Sequence, residues 1–385
     1  MMPVDGRRGA DTGLDDLPED LVTDKILMLL PPKDVGRCRA VRASWRSATS
    51  TPEFMFAHHR RQPSFPMVKF AVRLGTFRAS RRGRASYHPH LPPGHHVKLH
   101  ASGDGFLIVS VSCRFYICNP TLHQLAPLPQ PEFHHRNTIL GLYRHDATGE
   151  YRVLWYSLVD GGCDVDGKML HVITVGHSQS RKIRAASSPL EEKALLEALP
   201  GDSYSAYNPP VRHRGNLHWM SSGEIIVFDT ATELFRRMRA ATNSYSLFDV
   251  QGKLGLYTPD KRYTYMDVWV IEDYEAEMWE FKYRIDMSSI EACNSLHLTC
   301  PKQEKRKRTS VRVNPMSRMI HEISMLNEHE LLFGYNDNHM LRCNIDGKLL
   351  GRANMAKRIY NLELTRHRLK ECIIPIPSSK MQEEG

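Results

Sequence analysis

"GFLIVSVSCRFYICNPTLHQL" (residues 105–125) and "GNLHWMSSGEIIVFDTATELF" (residues 215–235) share one layout. Each opens on a glycine and places Asn119 or Asp229 14 positions later, with Leu125 or Phe235 six beyond that. The second half of the layout recurs from Asp273 to Trp279 and from Asn344 to Leu350. Three positions ahead of each Asn or Asp stands an apolar residue: Tyr116, Ile226, Val270 or Leu341. Such a unit reads as strand, turn, strand, because an Asn or Asp side chain can bond the backbone of the turn that it starts. Hairpins in series over about 280 residues, at roughly 40–45 residues per four-stranded unit, predict a β-propeller of about six blades. A pair of β-sandwiches is the alternative, because the intervals between copies are uneven.

Upstream of these strands the texture is helical. In "DLPEDLVTDKILMLLPPKDVGRCRAVRASWRSAT" (residues 16–49), Pro18 suits a first helical turn, and Glu19 and Asp20 place negative charge at the positive end of the helix dipole. Val22, Ile26, Leu29 and Leu30 follow the spacing of one buried face, with Leu27 on the opposite, polar side. Pro31 and Pro32 stop the helix. A second short helix is expected through residues 33–41 and a third through 43–49, which brings in Trp45. Three helices this short hold more apolar residues than one small core can hide. The unit therefore packs on the rest of its own chain or docks a partner.

Composition bounds the rest. The chain has 385 residues, 41% hydrophobic and 25% charged, which is ordinary for a globular protein. No apolar run is long enough to span a membrane as a helix, and the polar opening residues 1–16, expected to be disordered, do not read as a secretory signal. Eight cysteines without a close CxxC pair suggest free thiols, mostly buried, in a reducing compartment. The net charge is +9, and between Glu53 and Asp104 nine Lys or Arg face no acidic residue. This stretch reads as a solvated basic connector over 57–96. It lacks the regular aromatic interleaving of a single-strand nucleic-acid binder.

The helical stretch resembles an F-box. The resemblance is carried by the "LPEDL" opening, "LLPPKDV" and "CRAVRASWRSATSTPEF", and it runs over residues 17–56. It implies that the unit holds the Skp-type adaptor of a cullin–RING ubiquitin ligase. By matching position, Leu17, Pro18, Leu21, Ile26, Leu27, Leu30, Pro31, Val35, Val41 and Trp45 would contact that adaptor or support the contact. The family has an apolar residue near Gly36, so the second helix is expected to be weakened. The β-rich region, read as a domain over 97–370, resembles the plant F-box-associated domain in "GDGFLIVS", "YICNP", "GEYRVLWYS", "RGNLHWM", "VFDTATELFRRM" and "VWVIEDYEAEMWEFKY". That implies an α plus all-β chain, an F-box followed by a propeller-like receptor for a target protein that the resemblance does not name. A regulatory scaffold working outside the ligase is the alternative role. A cytoplasmic or nuclear location follows from either.

No catalytic constellation stands out. The histidine doublets 58/59, 95/96 and 134/135 are poor chelates, because adjacent side chains point apart. Cys113 and Cys118 would face opposite sides of a strand. His218 beside Trp219 reads as core packing rather than catalysis, and the Tyr and His set of a copper-oxidase propeller is unmarked. No cofactor or metal is expected. The basic run 302–308 reads as an exposed charged loop, with nuclear import as its functional alternative, and residues 371–385 read as a polar tail.

Overall fold

The computed structural model describes residues 17–70, 77–79, 86–87, 97–112, 114–129, 135–159, 168–200, 209–241, 246–260, 265–286, 320–335, 339–346, 348–352 and 362–377. Its strands form six four-stranded antiparallel sheets. The first sheet begins with β1 (Ser64–Phe70), β2 (Phe77–Ala79) and β3 (Ser86–Tyr87). The second holds β4 (Val97–Gly103), β5 (Phe106–Val111), β6 (Arg114–Asn119) and β7 (Gln124–Pro127). The third holds β8 (His135–Arg144), β9 (Tyr151–Val159), β10 (Lys168–Thr174) and β11 (Ser180–Ile183). The fourth holds β12 (Val211–His213), β13 (Asn216–Ser221), β14 (Glu224–Asp229) and β15 (Leu234–Arg239). The fifth holds β16 (Ser246–Val250), β17 (Lys253–Pro259), β18 (Tyr265–Asp273) and β19 (Met278–Asp286). The sixth holds β20 (Ile320–Asn327), β21 (Glu330–Tyr335), β22 (His339–Asn344) and β23 (Leu349–Arg352). The last strand, β24 (Leu362–Lys370), returns to the first sheet and pairs with β1, Ser64 opposite Lys370 and Phe70 opposite Leu362.

Six apolar clusters, one between each neighbouring pair of sheets, make the ring. Within β5, Leu107, Val109 and Val111 enter the cluster shared with the first sheet, while Phe106 and Ile108 enter the one shared with the third. Successive side chains point to opposite faces of a strand, and both faces of a blade are covered by neighbours. That is why the strands read as nearly unbroken apolar runs such as "FLIV" and "IIVF". The propeller closes by pairing a strand from the end of the chain with one from near its start. The cluster between the sixth and first blades, Leu332 and Met340 with Val68 and Leu364, seals that seam.

The repeated Asn and Asp stand at one position of four blades. Asn119, Asp229, Asp273 and Asn344 each end the third strand. Asn119 Oδ1 accepts from the backbone N–H of Thr121 (3.0 Å) and Leu122 (3.2 Å). Asp229 Oδ1 takes Ala231 (2.9 Å) and Thr232 (2.8 Å), Asp273 Oδ1 takes Glu275 and Ala276 (both 3.0 Å), and Asn344 Oδ1 takes Lys348 (2.6 Å). A side-chain acceptor that satisfies two turn amides in three of the blades, and one in the fourth, explains the spacing.

Two expectations change. The stretch 57–96 holds structure in its described parts: helix Pro52–Arg61 ends within it and β1 follows, with Met67 and Val68 buried on opposite faces. Its lack of acids had suggested a connector, but charge carries no information about pairing with β24. Residues 371–377 are not a frayed tail, because Cys372, Ile373 and Ile374 are buried. Helix Pro32–Val41 forms with Gly36 inside it, and an added Cβ there would meet nothing within 4 Å, so no apolar contact is made at that position. Residues 1–16, the run 302–308 and residues 378–385 lie outside the described residues. Among those described, no helix is long and apolar enough to cross a membrane.

Candidate protein-docking surface

The helical unit starts irregularly. Glu19–Leu21 is a single α turn, Val22–Ile26 a wide π turn and Leu27–Leu29 a tight 3₁₀ turn. A π turn advances less per residue than an α turn and a 3₁₀ turn more, so the phase of the apolar face drifts. Leu27, expected on the polar side, is 2% exposed, and Leu29, expected on the buried side, is 69% exposed. The five successive apolar residues 26–30 carried the warning, since one helix face cannot take them all.

The core of the unit consists of Val22, Leu27, Met28, Val35 and Phe54, with Leu30, Cys38 and Trp45 packed against it. Helix Pro32–Val41 is tied to helix Ala43–Thr49 by Arg39, whose guanidinium donates to Thr49 Oγ1 (2.9 Å) and to the Thr49 carbonyl. Arg42 lies over the Trp45 ring at 5.6 Å. Thus the ten residues singled out from the sequence divide. Leu27 and Val35 are interior, Ile26, Leu30 and Trp45 are half-buried, and Leu17, Pro18, Leu21, Pro31 and Val41 are exposed. Leu29 joins the exposed group and was missed.

The unit is seated on the propeller through helix Pro52–Arg61 and the segment after β24. Phe54 enters the helical core, whereas Met55 and Phe56 pack on the cluster between the second and third blades. Arg144 stands 4.4 Å over the Phe56 ring. Residues 372–374 alternate between the two halves: Cys372 and Ile374 enter that blade cluster and Ile373 enters the helical core. Asn119 Nδ2 holds the segment in place by donating to the carbonyls of Cys372 (3.2 Å) and Ile374 (2.7 Å). Gly105, at φ +86°, turns directly beneath it, where a Cβ would sit 2.1 Å from Cys372 Cβ. His58 Nε2–H donates to the Leu30 carbonyl (2.8 Å), and Lys370 Nζ to the Arg60 carbonyl (2.7 Å).

The same joint covers one mouth of the ring. Asp104, in the turn after the first strand of the second blade, is 2.7 Å from Arg212 of the fourth and 3.8 Å from His59 Nε2. Burial alone would raise the Asp104 carboxyl, but Arg212 and His59 outweigh it and hold the group well below the usual carboxylate range. His213 donates to the Gly252 carbonyl (3.1 Å) and Gln251 to the Glu328 carbonyl (3.1 Å), so the first turns of successive blades meet on this face.

A comparison of the sequence with protein families matches the F-box associated beta propeller domain over residues 54–305. The chain belongs to that family. Two F-box proteins of Arabidopsis thaliana are similar to it: At5g18160 is 26% identical over 282 residues, covering 68% of each chain. At1g33020 is 28% identical over 302 residues, covering 69% of this chain and 52% of its own length. Among solved structures, YCF48 from Cyanidioschyzon merolae aligns over 78% of this chain and 88% of its own, with a TM-score of 0.40 and 10% identity.

Within this F-box associated propeller, His218 and Trp219 serve packing. His218 is fully buried, with Nδ1 at 3.1 Å from the Val211 carbonyl and Nε2 at 2.8 Å from Tyr274 Oη, and burial pushes it down to about 3. Trp219 beside it is buried too. Burial likewise pushes the Cys118 thiol up to about 11 and those of Cys343 and Cys372 to about 12, away from the reactive thiolate.

Glu233 is the ion-pair hub between the third and fourth blades. Its carboxylate accepts from Tyr143 Oη (2.6 Å), Arg152 (2.7 Å) and Arg181. Glu233→Ala removes the anion, so that Arg152 keeps Glu150 (2.8 Å) as its carboxylate partner while the buried Tyr143 hydroxyl loses its acceptor. A loss of about 1–3 kcal/mol is expected, the cost of a buried polar group left without its partner. Urea unfolding reads this directly, and an unchanged midpoint would refute the assignment.

Proposed function

We propose that the chain is the substrate-recognition subunit of a Skp-type adaptor, cullin and F-box ubiquitin ligase, with residues 17–56 as the F-box and the propeller as target receptor. One observation carries the reading. The helical unit closes its own core with Ile373 of the propeller side, yet Leu17, Leu21, Leu29 and Val41 remain exposed. Apolar side chains left over after both intramolecular demands are met suit a protein interface. The relatives named F-box proteins support the same reading. The chain would act by proximity, holding a target near the charged ubiquitin carrier, with no chemistry or cofactor of its own. This role carries a cytoplasmic or nuclear location with it.

The test separates interface from support. Leu29→Asp changes a side chain that is mostly in water, so thermal stability should stay within about 0.5 kcal/mol of wild type. Adaptor binding should fall about 30-fold or more, as for a desolvated anchor that gains a charge. Leu27→Asp should instead melt the helical unit. The measurement is co-purification and titration with a Skp-type adaptor, accompanied by circular dichroism. Wild-type binding by Leu29→Asp, or no adaptor binding by the wild-type chain, would sink the proposal.

A further inference from the structure

Helix Pro189–Ala198 is inserted between β11, the outer strand of the third blade, and β12, the inner strand of the fourth. The turns that touch the helical unit join first to second strands. A connection from the last strand of one blade to the first of the next lies at the opposite ends of the strands, hence on the opposite face of the ring. Lys168, the first residue of β10, and Ile183, the last of β11, belong to that same end. There the helix and the two strands enclose a groove of about 360 Å³.

Its walls combine two chemistries. Among the described residues, Met169, Leu170, Ile183, Pro189 and Leu196 form an apolar floor, and Lys168, Lys182, Arg184 and Lys193 surround it with one carboxylate, Glu192. That carboxylate is already engaged: Oε2 accepts from Arg184 (3.1 and 3.2 Å) and Oε1 from the Ala185 N–H (3.0 Å). Lys168 donates to the carbonyls of Leu196 (2.9 Å) and Leu199 (3.4 Å), which fastens the last turn of the helix over the groove. Lys182 and Lys193 are exposed at the rim. The helix itself is fixed by burial of Leu195 and Leu199 in the cluster between the third and fourth blades, and by Arg237 donating to the Ala194 carbonyl (3.2 Å). A rigid concave site, apolar within and cationic around, is complementary to one kind of peptide.

We propose that this groove receives an acidic segment of the recruited protein, one large apolar side chain entering the floor and flanking Asp or Glu meeting Lys182 and Lys193. The inference rests on the receptor role proposed above and names the chemistry of its target. It also gives the geometry a purpose, because a target held here sits on the face away from the helical unit.

Fluorescence anisotropy on the full chain tests it with three labelled probes: a short Glu-rich peptide with one central Phe, the same peptide with Lys for Glu, and a DNA duplex. The acidic peptide should bind, and the basic one should not. Lys182→Glu with Lys193→Glu should weaken the acidic peptide about tenfold or more while shifting the urea midpoint only slightly, since both side chains are exposed. Leu196→Ala, which empties part of the floor, should weaken it without altering the salt dependence. Equal binding of both peptides, or wild-type binding by the double variant, would overturn the proposal. So would DNA binding that the double variant abolishes while peptide binding persists. None of these readings involves the adaptor, so failure here leaves the adaptor test standing, and the reverse holds too.

Discussion

A chain that ends before β24 is expected not to fold, and a chain that begins at residue 97 is expected to fail in the same way. The ring closes only where β1 and β24 pair, in a register running from Ser64–Lys370 to Phe70–Leu362. Beyond that pairing, β24 and the segment after it bury Leu364, His367, Leu369, Cys372, Ile373 and Ile374. Arg368 adds donors to the Ser64 carbonyl (2.7 Å), Ser324 Oγ (2.8 Å) and the Met325 carbonyl (2.7 Å), joining the seam to the sixth blade. The five apolar side chains alone, at about 1.5–3 kcal/mol each, match the roughly 5–15 kcal/mol that holds a whole domain folded. Starting at residue 97 removes the other side of the seam, including Met67 and Val68, and also the helix that carries Phe56 onto the second and third blades. Circular dichroism and thermal melting of the two truncations check this. A cooperative melt near that of the full chain from either would show that the seam is dispensable. A folded propeller fragment should therefore begin before helix Pro52–Arg61 and keep the residues through 377.

The parts of this architecture that could be read from the residues are local ones. Asn119, Asp229, Asp273 and Asn344 mark their turns because a side-chain oxygen bonds amides two to four positions ahead, a relation that spacing records directly. The blade strands are visible for a similar reason, since two-sided burial leaves an apolar run. The seam is different. Ser64 and Lys370 lie at opposite ends of the chain, and nothing in "SFPMVKF" states which strand will pair with it. The helical unit departs from its sequence pattern at finer scale. A 3.6-residue period does not describe a stretch that changes pitch twice, which exchanges the places of Leu27 and Leu29. The groove under helix Pro189–Ala198 was not seen at all, because it joins Lys168 to Lys193 only after a blade has folded. The buried single histidines are legible only in part: His218 reads as core beside Trp219, whereas nothing local in the sequence marks His100 or His367 as buried.

The burial of His100, His218 and His367 is expected to make the propeller acid-labile between neutral pH and pH 5. Burial, with Lys98 and His367 nearby, pushes His100 down to about 3, and its Nε2 is 2.7 Å from Ser110 Oγ. Burial alone does the same to His367, whose Nδ1 is 3.3 Å from Ser102 Oγ. His218 is lowered by burial and by His213 and Arg236, while its bonds to the Val211 and Asn216 backbones oppose the shift only in part. In the unfolded chain each returns to about 6.5. Between pH 6.5 and 3 the unfolded state therefore holds protons that the folded state refuses, and stability must fall as pH falls. Above pH 6.5 both states are neutral at these sites and the effect vanishes. From pH 7 to 5 each histidine costs about 2 kcal/mol and the three together about 6, comparable to the stability of many domains. Asp104 works in the same direction but later, because a carboxyl held low in the folded state loses its advantage only below the ordinary carboxylate range. Urea midpoints at pH 7, 6 and 5 should drop steeply, and His100→Gln should flatten the slope by about a third if it keeps its bond to Ser110. A midpoint that holds steady from pH 7 to 5 would mean that these imidazoles reach water or find anions, and the buried, neutral state argued for them would be wrong.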